Sequence, residues 1–164
     1  MSSVSQIPPG GRPLSPSEYA RLVEEMTELV DSSHLFKTLD AAGRGRVLEC
    51  GYVTTFSAGD VILRQGDPGD SMYLILDGKV RVQTDTPSGP VQLAELGKSA
   101  CVGEVSLLTG EPRTATVTAE TDIDAVAFAR HRIERVLADY PKVAELLQTL
   151  VERRARDTIE KIIG

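Results

Sequence analysis

The spacing of apolar positions changes near residue 51. Before it, Tyr19, Leu22, Val23, Met26, Leu29 and Val30 recur at helical intervals. Ser15, Pro16 and Glu18 precede that run and read as a helix start. The serine caps, the proline suits the first helical position, and the glutamate completes a capping box. A second short helix is expected over 40–50, although Gly43 and Gly45 lower its propensity. Residues 1–14 are rich in Ser, Pro and Gly and predict a flexible tail. Met1 ahead of that tail reads as a natural start.

From Gly51 the apolar runs become short and β-branched, at 52–56, 61–64, 72–76, 80–83, 91–96, 115–119 and 123–129. Gly-, Pro- and Asp-rich turns separate them, which predicts a β-barrel or sandwich. Asp77-Gly78, between two apolar runs, predicts a two-residue hairpin. One stretch, 103–109, reads as a single helical turn inside the barrel. A short helix follows over 131–139, and Pro141 opens a last one. Its apolar stripe is Val143, Leu146, Leu147, Leu150, Val151, Ala155, Ile159 and Ile162, with Arg154 lying on it. The expected organisation is a tail (1–14), an N-terminal helical segment (15–50), a β-unit (51–130) and C-terminal helices (131–164).

Composition narrows the classes. Of the 164 residues 41% are apolar but only 4% aromatic, so the core is aliphatic. A net charge of -6 argues against nucleic acid or an anionic membrane as partner. No apolar run reaches membrane-spanning length, and the N-terminus lacks the apolar core of a signal peptide. Two cysteines, Cys50 and Cys101, do not make a disulfide framework. A soluble, cytoplasmic protein is expected.

The stretch GEVSLLTGEPRTATV (103–117) holds the candidate chemistry. A helix opening after Gly103-Glu104 offers unpaired amides to a phosphate. Arg113 carries a planar fork suited to phosphate oxygens. Glu104 repels a phosphate but can accept a hydrogen bond from a sugar hydroxyl beside one. Together they suit a phosphorylated sugar. On spacing alone, a surface ion pair between Glu104 and Arg113 explains the same residues.

The stretch resembles the phosphate-binding cassette of cyclic nucleotide-binding domains. Gly103, Glu104, Leu107, Gly110, Pro112, Arg113, Thr114, Ala115, Thr116 and Val117 fall in register with that pattern. Upstream, Gly59, Gly66, Asp67, Gly69, Asp70, Tyr73 and Gly78 match the family's glycine-punctuated strands, and SSHLFKTLD resembles its lead-in segment. The likeness runs over about 31–163 and extends to CRP-type regulators, protein kinase A regulatory subunits and cyclic nucleotide-gated channels. It implies an α+β fold: an eight-stranded antiparallel β-roll, jelly-roll-like, with an N-terminal helical segment, a short cassette helix and C-terminal lid helices. It implies that Glu104 bonds the ribose 2′-hydroxyl and Arg113 the cyclic phosphate, with backbone amides near Val105 and Ser106 completing the cradle from Gly103 onward. Thr114 touches the phosphate or a guanine amino group. Val82 and Ala94 stand at the family's base-pocket positions. Arg154 on the lid helix either stacks on the purine or snorkels from the edge of the stripe. Two departures are Cys101-Val102 in place of the usual aromatic and Ser106 in place of alanine.

These expectations define a regulatory sensor for cAMP or cGMP, with cAMP favoured, no further cofactor and no enzymatic activity. Movement of the last helix is expected to switch contacts with a protein partner or a second copy, through the helices at 16–30 and 141–163. The alternatives are an interaction module that keeps the fold without the nucleotide, and a cyclic dinucleotide binder. A cupin-type metalloenzyme needs converging histidines and carboxylates, and the only histidines, His34 and His131, lie outside the strands.

Overall fold

A computed structural model describes residues 11–150 and residue 152. The chain opens with β1 (Arg12–Pro13), then α1 (Pro16–Glu24), α2 (Met26–Ser32), α3 (His34–Thr38) and α4 (Ala41–Glu49). Eight strands follow: β2 (Tyr52–Phe56), β3 (Val61–Leu63), β4 (Ser71–Asp77), β5 (Val80–Thr86), β6 (Gly89–Leu96), β7 (Cys101–Val102), β8 (Thr116–Ala119) and β9 (Ile123–Ala129). Helix α5 (Glu104–Thr109) interrupts them, and α6 (Arg130–Leu137) closes the roll. A last helix, α7, occupies 141–150. This is the expected α+β fold with an antiparallel β-roll.

The start of α1 is built as its residues dictate. Ser15 Oγ accepts from the Glu18 amide at 3.2 Å, and Glu18 Oε1 accepts from the Ser15 amide at 2.9 Å. Glu18 also binds Arg12, which pairs with Val53 as the edge strand β1. Arg12 and Pro13 thus belong to the sheet rather than to the tail. The expected single helix over 16–30 divides at Glu25 into α1 and α2. Val23, placed on its apolar stripe, is exposed. The segment 34–38 forms a helix that periodicity did not reveal. Ser33 caps it, accepting from the Phe36 amide at 3.2 Å.

The roll has two sheets, ordered β1-β2-β9-β4-β7 and β3-β8-β5-β6. Strand β4 reads as a near-continuous apolar run because it is buried on both faces. Met72, Leu74 and Leu76 face the helices, beside Phe128, Phe36 and Leu29. Ile75 faces the roll interior with Val80, Val117 and Ile123. Phe36 meets Phe128 edge-on at 6.2 Å, fastening α3 to the sheet.

One expected turn forms differently. Asp77-Gly78 does not close a hairpin, because β4 and β5 lie in different sheets. Gly78 has φ +107° and carries the chain across. A Cβ there would stand 2.4 Å from Ile123 Cδ1 and 2.5 Å from the Asp122 carbonyl oxygen, so the crossing requires glycine. The long hairpin is β5–β6, turning before Gly89.

Helix α5 is wedged against the 66–71 loop. The Gly66 amide donates to the Arg113 carbonyl and the Arg113 amide to the Asp67 carbonyl, both at 2.9 Å. Gly69 lies so close to α5 that a Cβ would stand 2.2 Å from Ser106 Cβ. Replacing Gly69 with alanine is expected to cost about 1–3 kcal/mol by overpacking, and urea unfolding measures it. A wild-type midpoint would show that the loop yields freely. Glu18 supplies a second test. The Arg12 guanidinium, then the Ser15 bonds, hold its carboxyl at about 2, below its ordinary value of 4.5. A depressed folded value adds stability above about pH 4.5 that is lost as pH falls toward 2. Glu18→Gln is therefore expected to flatten stability against pH across that window; an unchanged slope in acid melts contradicts the assignment.

Candidate functional site

The cassette begins where strand geometry ends. Gly103 sits at φ +86° between β7 and α5. A Cβ there would stand 2.7 Å from Arg113 Nη1 and 3.0 Å from the Ser71 carbonyl oxygen. Glycine is thus required twice, for the backbone and for the guanidinium packed against it. Gly110, at φ +78°, ends α5 in the left-handed conformation usual for helix termini.

Arg113 is only 5% exposed. Its Nη1 donates to the Gly103 carbonyl at 2.9 Å, and Nη2 to the Ser71 carbonyl at 2.6 Å and Ser71 Oγ at 3.3 Å. Among the described residues it forms no ion pair with a carboxylate. Burial pushes the guanidinium below its ordinary value, and Asp70, Tyr73 and Asp67 oppose that from a distance. A buried cation held by neutral carbonyls, with no carboxylate paired to it among the described residues, is placed to attract an anion.

Glu104 is 2% exposed and turns toward the helical segment, away from any pairing with Arg113. Its Oε2 accepts from Ser33 Oγ and from the Leu35 amide at 3.4 Å, and Oε1 accepts from the His34 amide at 2.9 Å. The surface ion pair that spacing allowed is not formed. Ser106 is buried, and its Oγ donates to the Pro112 carbonyl at 3.2 Å. The first-turn amides of α5 have no carbonyl within the helix to bond.

These groups share one cavity of about 240 Å³, just under the ~300 Å³ at which small-molecule clefts begin. Gly103, Glu104, Val105, Ser106, Arg113, Thr114, Val82 and Ala94 all line it. Arg154 lies outside the described residues. Thr114 is exposed at the rim, and its carbonyl accepts from Thr84 Oγ1 at 2.9 Å. Cys101 and Val102, which replace an aromatic, are both buried. Its lining joins the charged Glu104 and Arg113 to aliphatic side chains such as Leu63, Val82, Leu93 and Leu96.

Val82 faces Ala94 across the β5–β6 ladder, at the point where its register slips. The bulge leaves Leu93 opposite no partner, so Leu93 and Ala94 both line the cavity despite being consecutive. Alternation sends one of two neighbours away, so sequence reasoning missed Leu93. It missed Ser71 and Ser33 as well. Ser33 had a signal, a cap residue ahead of an apolar run, whereas Ser71 contributes chiefly a carbonyl, which carries none.

No group of three or more His, Cys, Asp or Glu suited to a metal occurs among the described residues. Nor is any described helix long and apolar enough to cross a membrane.

The profile described as "Cyclic nucleotide-binding domain" matches residues 53–140, more than half of the chain. A cyclic nucleotide-gated potassium channel of Mesorhizobium japonicum is 35% identical over 77% of this chain and 34% of its own length. A cAMP-dependent protein kinase regulatory subunit of Dictyostelium discoideum is 37% identical over 71% of this chain and 36% of its own. The chain therefore spans about a third of each of these curated relatives. Among solved structures, the N-terminal domain of a transcriptional regulator from Streptomyces coelicolor superposes with a TM-score of 0.63. It is 34% identical and covers 79% of this chain and 94% of that domain. With the glycine-framed cassette, the buried Arg113 and the two-sheet roll already described, these matches place the chain in the cyclic nucleotide-binding domain family.

Proposed function

We propose that the chain is a cyclic nucleotide sensor whose preferred ligand is cAMP and whose output passes through its terminal helices. The observation that carries the reading is the buried Arg113, without a carboxylate partner among the described residues, in the wall of a cavity that aliphatic side chains also line. A cyclic phosphate supplies the missing charge. It accepts from the guanidinium fork and from the amides of Val105 and Ser106 at the start of α5. Glu104 receives the ribose hydroxyl. The purine lies against Val82, Ala94 and their aliphatic neighbours, with Thr114 at the rim. The relatives' names support cyclic nucleotides in general and cAMP in one case.

The route outward starts at α5. Leu108 of α5, Leu137 of α6 and the fully buried Leu147 of α7 belong to one apolar cluster. A shift of α5 on binding is felt by α7 through that packing, which gives a two-state element biased by differential affinity. The moving helix exposes or covers a surface for a protein partner or a second copy.

Calorimetric titration with cAMP and cGMP tests the ligand. Micromolar or tighter binding is expected, with cAMP preferred. Arg113→Ala is expected to weaken it by about 2–5 kcal/mol. Arg113→Lys keeps the charge but not the fork and should fall between the two, with unfolding curves controlling for stability. No binding to folded wild type sinks the sensor and favours an interaction module. Hydrogen exchange tests the output. Protection across 141–150 should change on adding cAMP, and identical exchange with and without it contradicts the moving helix.

A further inference from the structure

The N-terminal helices are bound to the cavity through the side chain of Glu104. All three of the bonds described for its carboxylate come from the start of α3, one from a hydroxyl and two from amides. Ser33 is the pivot of that contact. It is buried, donates to Glu104 Oε2, and accepts from the Phe36 amide. Its hydroxyl therefore has a defined direction: one lone pair is committed to the helix cap and the proton to the carboxylate. Ser32 beside it donates to the Ser99 carbonyl at 2.6 Å, so the α2–α3 junction is itself anchored to the loop leading into β7.

We infer that Ser33 is a positioning residue of the ligand site, which sets the Glu104 carboxylate for the ribose hydroxyl and so makes the N-terminal helical segment part of nucleotide recognition. The inference rests on the cyclic nucleotide reading above. A carboxylate free to turn loses orientation when a sugar hydroxyl arrives, whereas one held by three donors has that ordering already built in. Removing the serine hydroxyl leaves Arg113 and the phosphate cradle untouched. The loss is confined to the part of the affinity that depends on the 2′-hydroxyl.

The test compares cAMP with 2′-deoxy-cAMP, which lacks the group Glu104 receives. Ser33→Gly is the main variant, because glycine is tolerated at a helix cap with little loss of stability. Ser33→Ala is the second, and Ser33→Thr restores the hydroxyl. Calorimetry on the full chain should show cAMP binding weakened by roughly tenfold in Ser33→Gly, the scale of losing one hydrogen bond to a charged group. Binding of 2′-deoxy-cAMP should stay near its wild-type value, so the preference for the ribose form collapses. Ser33→Thr should return it. Equal weakening of both nucleotides would assign Ser33 a purely structural role and overturn the inference, as would an unchanged preference. If wild type binds neither nucleotide, the sensor reading falls and this inference falls with it. If wild type binds cAMP and the variants keep its preference, only the inference falls.

Discussion

The site depends on the burial of one guanidinium. Taking a charge out of water costs several kcal/mol even after the protein relaxes. Among the described residues, Arg113 recovers part of that from the carbonyls of Gly103 and Ser71 rather than from a carboxylate. Carbonyl oxygens satisfy donors without cancelling charge. The surroundings are shaped to hold the guanidinium. Gly103 has no side chain because the guanidinium lies against it, and the loop before β4 returns two backbone bonds to Arg113 itself.

Glu104 solves the opposite problem. An anion beside a cationic cavity would collapse onto Arg113 if it could reach it, and a neutral ion pair has little use for a phosphate. The start of α3 prevents this by offering three donors on the other side. The two charges of the cassette are thereby held apart, Arg113 on carbonyls and Glu104 on the donors at the start of α3. The N-terminal helices, which pack on the far face of the sheet through Leu29, Leu35 and Phe36, reach the cavity through this contact. Apolar packing from α5 through Leu108 to Leu147 reaches the last helix in the same way.

Much of this was legible in the sequence because it rested on local rules. Ser15, Pro16 and Glu18 announced α1, the stretch 103–109 read as a helical turn, and short β-branched runs between turns located the strands. Eight cavity-lining residues were named from the cassette and its neighbours, and they converge. What escaped has a common physical cause, since each case depends on tertiary contact. Gly78 looked like a hairpin glycine because Asp-Gly chemistry is the same whether the chain turns back or crosses between sheets. Leu93 entered the cavity through a bulge, which alternation cannot foresee. The cap at Ser33 is local, but its bond to Glu104, seventy residues or so downstream, is not. The role of Ser71 is carried mainly by its backbone.

On the proposed function, Arg113 is the seat of a cyclic phosphate. A crystal structure of the chain grown with cAMP decides this. The nucleotide is expected in the cavity lined by Val82 and Ala94, with phosphate oxygens at hydrogen-bond distance, about 2.7–2.9 Å, from the Arg113 guanidinium. A nucleotide seated elsewhere, or a phosphate turned away from Arg113 while the guanidinium keeps only its carbonyl partners, would contradict it.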